Sequence, residues 1–197
     1  MAAKTRLEKM TENRARLIAA GRKAFAEKGF AGASMDEFTA AVGLTRGALH
    51  HSFGDKKGLF AAVVDQIDTE LAHKARAFGD AAGSGWAGLM AEGRAYIEMA
   101  LEPEVQRIVL LDGPAVLGDP SQWPSQNRCL QATIGTLQAL SADGRIKPVD
   151  IEALARLLNG VALNAALWVA ASEDASATLP KAIAAFEALA SGACVNG

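Results

Sequence analysis

Apolar residues recur every third or fourth position through nearly all of this 197-residue chain, and no stretch sustains the alternation of a strand. A chain with that single period can bury its side chains only by packing helix on helix, so the predicted class is all-α. Half of the residues are apolar and 6% are aromatic, enough for a sizeable core at this length. The first helix is expected over residues 11–28, with Leu17, Ile18, Gly21, Ala24 and Phe25 on one stripe and Gly29 as a left-handed cap. A long helix should begin at Lys56, and the small residues at 78–85 should break it. Further helices are predicted over 86–101, 103–117, 125–141, 149–172 and 178–191.

The formal charge of −2 conceals an asymmetry. Residues 1–60 carry 11 Lys and Arg against 6 Asp and Glu, whereas residues 61–197 carry 9 against 16. A basic head on an acidic body suits a chain of which only the head meets phosphates. Cys129 and Cys194 are far apart and form no CxxC, which implies neither a disulfide framework nor a zinc site. The charged N-terminus has no apolar core of a signal peptide, and the apolar stretch at 157–171 is interrupted by Asn159 and Asn164. The expectation is a cytoplasmic protein with no membrane partner.

Between the basic head and the long helix lie two short helical patterns. Ser34 and Glu37 have capping-box spacing, which starts a helix at Met35 that must stop before Gly43. Thr45 starts another, ending near Ser52, and Asp55 caps the long helix. Gly43 supplies the positive φ of a tight turn between crossing helices. Phe38, Val42, Leu44 and Leu49 are spaced to pack inward, leaving Thr45, Arg46, Ala48, His50 and His51 toward solvent. That is a helix-turn-helix whose second helix can enter a major groove. Gly47 is then a point of close backbone approach, and Arg46 a fork for guanine O6 and N7. The GSGWAG stretch at 83–88 matches a dinucleotide fingerprint, but helix precedes it where a strand is required, so an interdomain turn is expected. The adjacent histidines have no ligand partner at metal-binding spacing, and no nucleophile–base–acid arrangement is present, so no metal, cofactor or catalytic residue is predicted.

Over residues 14–64, in particular AFAEKGFAGASMDEFTAAVGLTRGALHHSFGDKKGLFAAVV, the chain resembles the tetracycline-repressor (TetR) family of transcription regulators. The resemblance implies a DNA-binding domain at 1–55 and a helical ligand-binding and dimerisation domain at 56–197. It implies DNA contacts by Ser34, Thr45, Arg46, Gly47, Ala48, His50, His51 and Lys56, with Thr45 and Lys56 on phosphates. His50 stands where the family usually has tyrosine, and Thr39 where it usually has alanine. A double-stranded operator, a small-molecule effector and a second copy of the chain are the implied partners. An activating or ligand-independent regulator, or an all-α enzyme or carrier, is the alternative. For the body, the expected pocket candidates are Trp86, Met90, Arg94, Tyr96, Met99, Arg107, Trp123, Asn164 and Trp168. The last two helices are expected to form the dimer interface through Gly160, Leu163, Leu167, Ile183 and Phe186.

Overall fold

A computed structural model describes residues 5–195. Helix α1 (Arg6–Gly32) starts ahead of its expected position because Thr5 and Glu8 form a capping box, with Glu8 N–H donating to Thr5 Oγ1 at 3.2 Å and Thr5 N–H to the Glu8 carboxylate at 2.7 Å. Gly29 adopts φ 68°, as a left-handed cap would, but one more turn follows the kink. Helix α2 (Met35–Ala41) is capped by Ser34, which accepts from Glu37 N–H at 3.3 Å. The return half of that capping box does not form, because the Glu37 carboxylate pairs with Lys28 of α1 instead. Gly43 has φ 61° in the turn to α3 (Arg46–Phe53), whose cap Thr45 accepts from Ala48 N–H at 3.2 Å.

Asp55 accepts from Gly58 N–H at 2.7 Å and opens α4 (Lys56–Ala82), which runs into the predicted break at 78–85 and ends within it, at Ala82. Gly79 does not end it. A Cβ there would stand 2.9 Å from the Gly88 carbonyl oxygen, so the bare backbone lets α5 (Trp86–Glu98) close onto α4. The first half of the GSGWAG stretch, residues 83–85, is the turn between these two helices, with Gly83 and Gly85 at positive φ, and the rest opens α5.

After a short 3-10 turn, the helix predicted over 103–117 forms a π-helical segment, Val105–Asp112, and then α6 (Gly113–Leu117). Pro114 offers no N–H to the Leu110 carbonyl, and its ring crowds that oxygen, so the preceding turns widen. Helices α7 (Pro124–Ala142), α8 (Ile151–Ala171) and α9 (Ala175–Ser191) complete the body. Asp174 caps α9, accepting from Ala177 N–H at 2.9 Å, and starts it before the expected position.

The head is built on four aromatic rings. Phe25 meets Phe38 at 5.1 Å and Phe60 at 4.9 Å between centroids, and Phe30 meets Phe60 at 5.0 Å. Because Phe60, Leu59 and Val63 lie on α4, the first turns of the long helix complete the head's core, which continues into the body. A second core, around Leu130, Leu137, Leu140 and Leu158, fills the far end.

Polar contacts also bind head to body. Arg22 of α1 donates through Nε and Nη2 to Glu104, both at 2.7 Å, and through Nη1 to Glu70 of α4 at 2.8 and 2.9 Å. The hydrogen bonds to Glu104 and Glu70 hold this guanidinium well above its ordinary pKa. Asp112, at the end of the π-helical segment, accepts from Phe30 N–H at 2.6 Å.

Candidate nucleic-acid interface and ligand cleft

The two short helices are set by α1. Arg16 donates to the Val42 carbonyl at 2.6 Å, ending α2, while Arg14 donates to the Ser52 carbonyl at 3.0 Å and lies over the Phe53 ring at 4.4 Å. Phe38 and Leu49 are fully buried, with Val42 and Leu44 half-buried against them. Thr39 is buried too, its hydroxyl donating to the Met35 and Asp36 carbonyls at 3.1 Å. Ser34, Thr45, Arg46, Gly47, His50 and His51 are exposed, and Ala48 is half-buried.

Gly47 is informative because nothing inside the chain requires it. A Cβ there would meet only Thr45 Oγ1, at 3.7 Å, and alanine would favour the helix by about 1 kcal/mol. The bare position leaves room for a surface outside the protein. Arg46, expected as a free fork, is instead clamped by Nε and Nη2 to the carboxylate of Asp36 on α2. The hydrogen bond from Arg46 holds the Asp36 carboxyl below the usual carboxylate range. To read guanine, Arg46 must exchange Asp36 for the base.

Lys56 also has partners within the chain. Its ammonium donates to the Ala33 carbonyl at 2.8 Å and lies 4.5 Å from the centre of the Phe30 ring, closing the end of α1. That internal role explains a lysine at a helix N-terminus, where the dipole disfavours it. Its neighbour Lys57 is exposed and has no ion pair or hydrogen bond to another described residue.

The residues expected to line one pocket do not share one. Tyr96 alone lines the interior, in a chamber of about 70 Å³ with Leu89, Gln126 and Asn159. Trp86 and Met90 pack against the second core, and Met99 is buried in the first. Arg94 pairs with Glu187 of α9, and Arg107 pairs with Asp112 at 3.4 Å while filling the space over Gly29. Trp123 is buried against Gly113. Asn164 and Trp168 lie on the outer face of α8, because the apolar period of that helix serves two surfaces and they belong to the outer one.

A cleft of about 550 Å³ lies between α4 and α7, walled by Thr69, His73 and Arg76 on one side, Arg128 and Cys129 on the other, and Glu92 of α5. It shares Ala72, Glu92 and Cys129 with the inner chamber. The spacing of Thr69, His73 and Arg76 puts them on one helix face, a signal present in the sequence but indistinguishable there from a solvated surface. Burial pushes the Cys129 thiol up to about 11, which keeps it neutral and unreactive.

Beneath the cleft, Asp68 is 1% exposed and accepts from Gln126 Nε2 at 3.1 and 3.3 Å. Burial raises its pKa, opposed by Ser125 and Gln126, although the buried Ser125 hydroxyl closes no hydrogen bond of good geometry. A carboxyl raised by folding favours the native state below its unfolded pKa, near 3.9, and less as the pH climbs through the folded value. Asp68→Asn is therefore expected to stabilise the protein at pH 7 by about 1 kcal/mol, the gain vanishing near pH 3. Urea unfolding at the two pH values checks both sign and window.

For the last two helices, Gly160 is exposed with open space around it, while Leu163, Leu167 and Ile183 are half-buried. Phe186, expected at the dimer interface, is 3% exposed: it lies at the floor of the outer groove, and the tip of its ring fills the space that a side chain at Gly93 would occupy. The outer face instead presents Leu157, Trp168 and Leu189, which are 68%, 50% and 67% exposed. Helix α8 is long and apolar enough to cross a membrane by length and composition, and its apolar residues divide between this face and the core.

A short helix with an exposed polar face, held by α1 and mounted on a helical body, defines a helix-turn-helix transcription regulator. Residues 17–63 match the bacterial regulatory proteins of the tetR family, and residues 86–193 the tetracyclin repressor-like C-terminal domain. The chain belongs to the TetR family of DNA-binding, non-enzymatic regulators. It is similar to a TetR-family transcriptional regulator from Pectobacterium atrosepticum, with 48% identity and a TM-score of 0.87 over 98% of this chain and 99% of that one. The HTH-type transcriptional repressor AcnR of Corynebacterium glutamicum is 37% identical over 65 residues, 33% of this chain and 35% of that protein. The Transposon Tn10 TetC protein of Escherichia coli is 26% identical over 153 residues, 73% of each chain. The chain thus spans about a third of AcnR.

Proposed function

We propose that the protein is a cytoplasmic, homodimeric repressor that leaves a palindromic operator when a small molecule occupies the body. The observation that carries this reading is the double use of α4. Its cap, Asp55, lies two residues beyond the recognition helix, and its middle turns supply one wall of the 550 Å³ cleft. A ligand that favours one setting of α4 therefore also favours one placement of α3. Two recognition helices must meet half-sites about 34–36 Å apart on one face of DNA, so a small change in their separation costs much affinity. The relatives described as repressors support the sign of regulation.

The test is a mobility shift with DNA from upstream of the protein's own coding region, titrated with salt. Preferred binding that weakens steeply with salt is expected, and indifference between this DNA and random sequence would overturn the reading. Arg46→Ala should cost about 1–3 kcal/mol per half-site and relax preference at one or two base pairs. Lys57→Ala should lower the salt slope by about one unit per subunit at unchanged stability, whereas Lys56→Ala should also lower the melting temperature. An unchanged salt slope for Lys57→Ala would remove that lysine from the phosphate contacts.

A further inference from the structure

We propose that the α4–α7 cleft is a site for a small organic acid, its carboxylate held by His73, Arg76 and Arg128 and its apolar part directed toward the inner chamber. This rests on the cleft being the effector site, and it names the effector's chemistry. The body is acidic, with 16 Asp and Glu against 9 Lys and Arg over residues 61–197, yet two of those arginines and the body's one histidine converge on this opening. Their hydrogen-bonding capacity is largely unused. Toward the described residues Arg128 engages only Nη2, donating to Thr69 Oγ1 at 2.8 Å and Asp65 at 3.1 Å. Among the described residues Arg76 makes only long contacts, to Asp80 at 3.3 Å and Glu92 at 3.4 Å. His73 is exposed, with no hydrogen bond to a described residue. Free guanidinium N–H groups on facing helices suit a planar carboxylate, which accepts two parallel bonds.

The acidic groups nearby do not cancel this. Asp65 and Asp80 each orient an arginine from outside the cleft wall. Glu92 is on the wall, but burial pushes its pKa up and Arg76 leans against it. Inward from Glu92 the walls turn to Ala72, Ala75, Leu89, Ala162 and the partly buried ring of Tyr96, which suit an apolar or aromatic body.

Charge-matched probes test the assignment: benzoic and 2-naphthoic acids, their carboxamides, and the corresponding arylmethylamines, titrated calorimetrically against the full-length protein. At least one acid should bind, its amide about tenfold or more weaker and its amine weaker still. Arg76→Gln, Arg128→Gln and the surface change His73→Gln should each weaken acid binding several-fold, about tenfold for the arginines, while Arg94→Gln should not. Amides or amines that bind as well as the acids, acids that fail to bind at millimolar concentration, or cleft variants without effect would each overturn the proposal. Operator binding measured alongside separates the two readings. An acid that binds through these residues but leaves DNA affinity unchanged sinks ligand release alone, and DNA release by an amide or amine sinks the organic-acid assignment alone.

Discussion

Trp168→Arg is expected to turn a dimer into a monomer and to weaken operator binding by at least about 100-fold. The outer face of α8 and α9 exposes Leu157, Trp168 and Leu189 beside Gly160, Asn164 and Ala185, an apolar groove rimmed by small residues that permits close helix approach. In a two-fold contact one substitution enters from both protomers, and burying two unpaired guanidinium groups costs several kcal/mol. The monomer retains one half-site, so its affinity falls from that of a specific dimer toward non-specific binding. Trp168 is half exposed in the protomer, so helix content and protomer fold should survive. Light scattering after size exclusion checks the mass, and a mobility shift checks the DNA. A variant that remains dimeric would place the contact on another face.

Phe25→Ala should cost about 3–5 kcal/mol and abolish DNA binding while leaving the dimer assembled. The ring is fully buried and touches Phe38 of α2, Phe60 of α4 and, at 6.0 Å, Phe30 of its own helix. Its removal opens a cavity among α1, α2 and α4, the packing that seats the two short helices, α2 and α3, of only 7 and 8 residues. Such helices are unstable alone and depend on this packing. The body has a second core away from the rings, and its α8–α9 face does not involve the head. Urea unfolding should therefore split into an early head transition and a later body transition. A single transition at the original midpoint would show that the ring cluster does not hold the head.

The head was legible because its determinants are local. Ser34, Thr45 and Asp55 each accept from an amide three residues on, and Gly43 takes the positive φ that its turn requires, so spacing alone announces α2, α3 and the start of α4. Where a local signal met a competing tertiary partner, the partner won. Glu37 left its cap for Lys28, Asp36 took the side chain of Arg46, and the Lys56 ammonium turned inward to the end of α1.

The body shows the opposite balance. Its helices and their approximate ends follow from periodicity, as does the all-α class. The cleft does not, because it joins residues of α4 to residues of α7 some sixty positions away, each polar on what looks like a solvent face. Nor does the direction of Phe186, which is decided by the absence of a side chain at Gly93 on another helix. By itself the sequence determined the helices, their caps and the helix-turn-helix, since hydrogen bonds and apolar stripes at spacings of three and four are written along the chain. Only the tertiary structure decided which faces of those helices meet, because side-chain volume matched across distant helices leaves no period in either one.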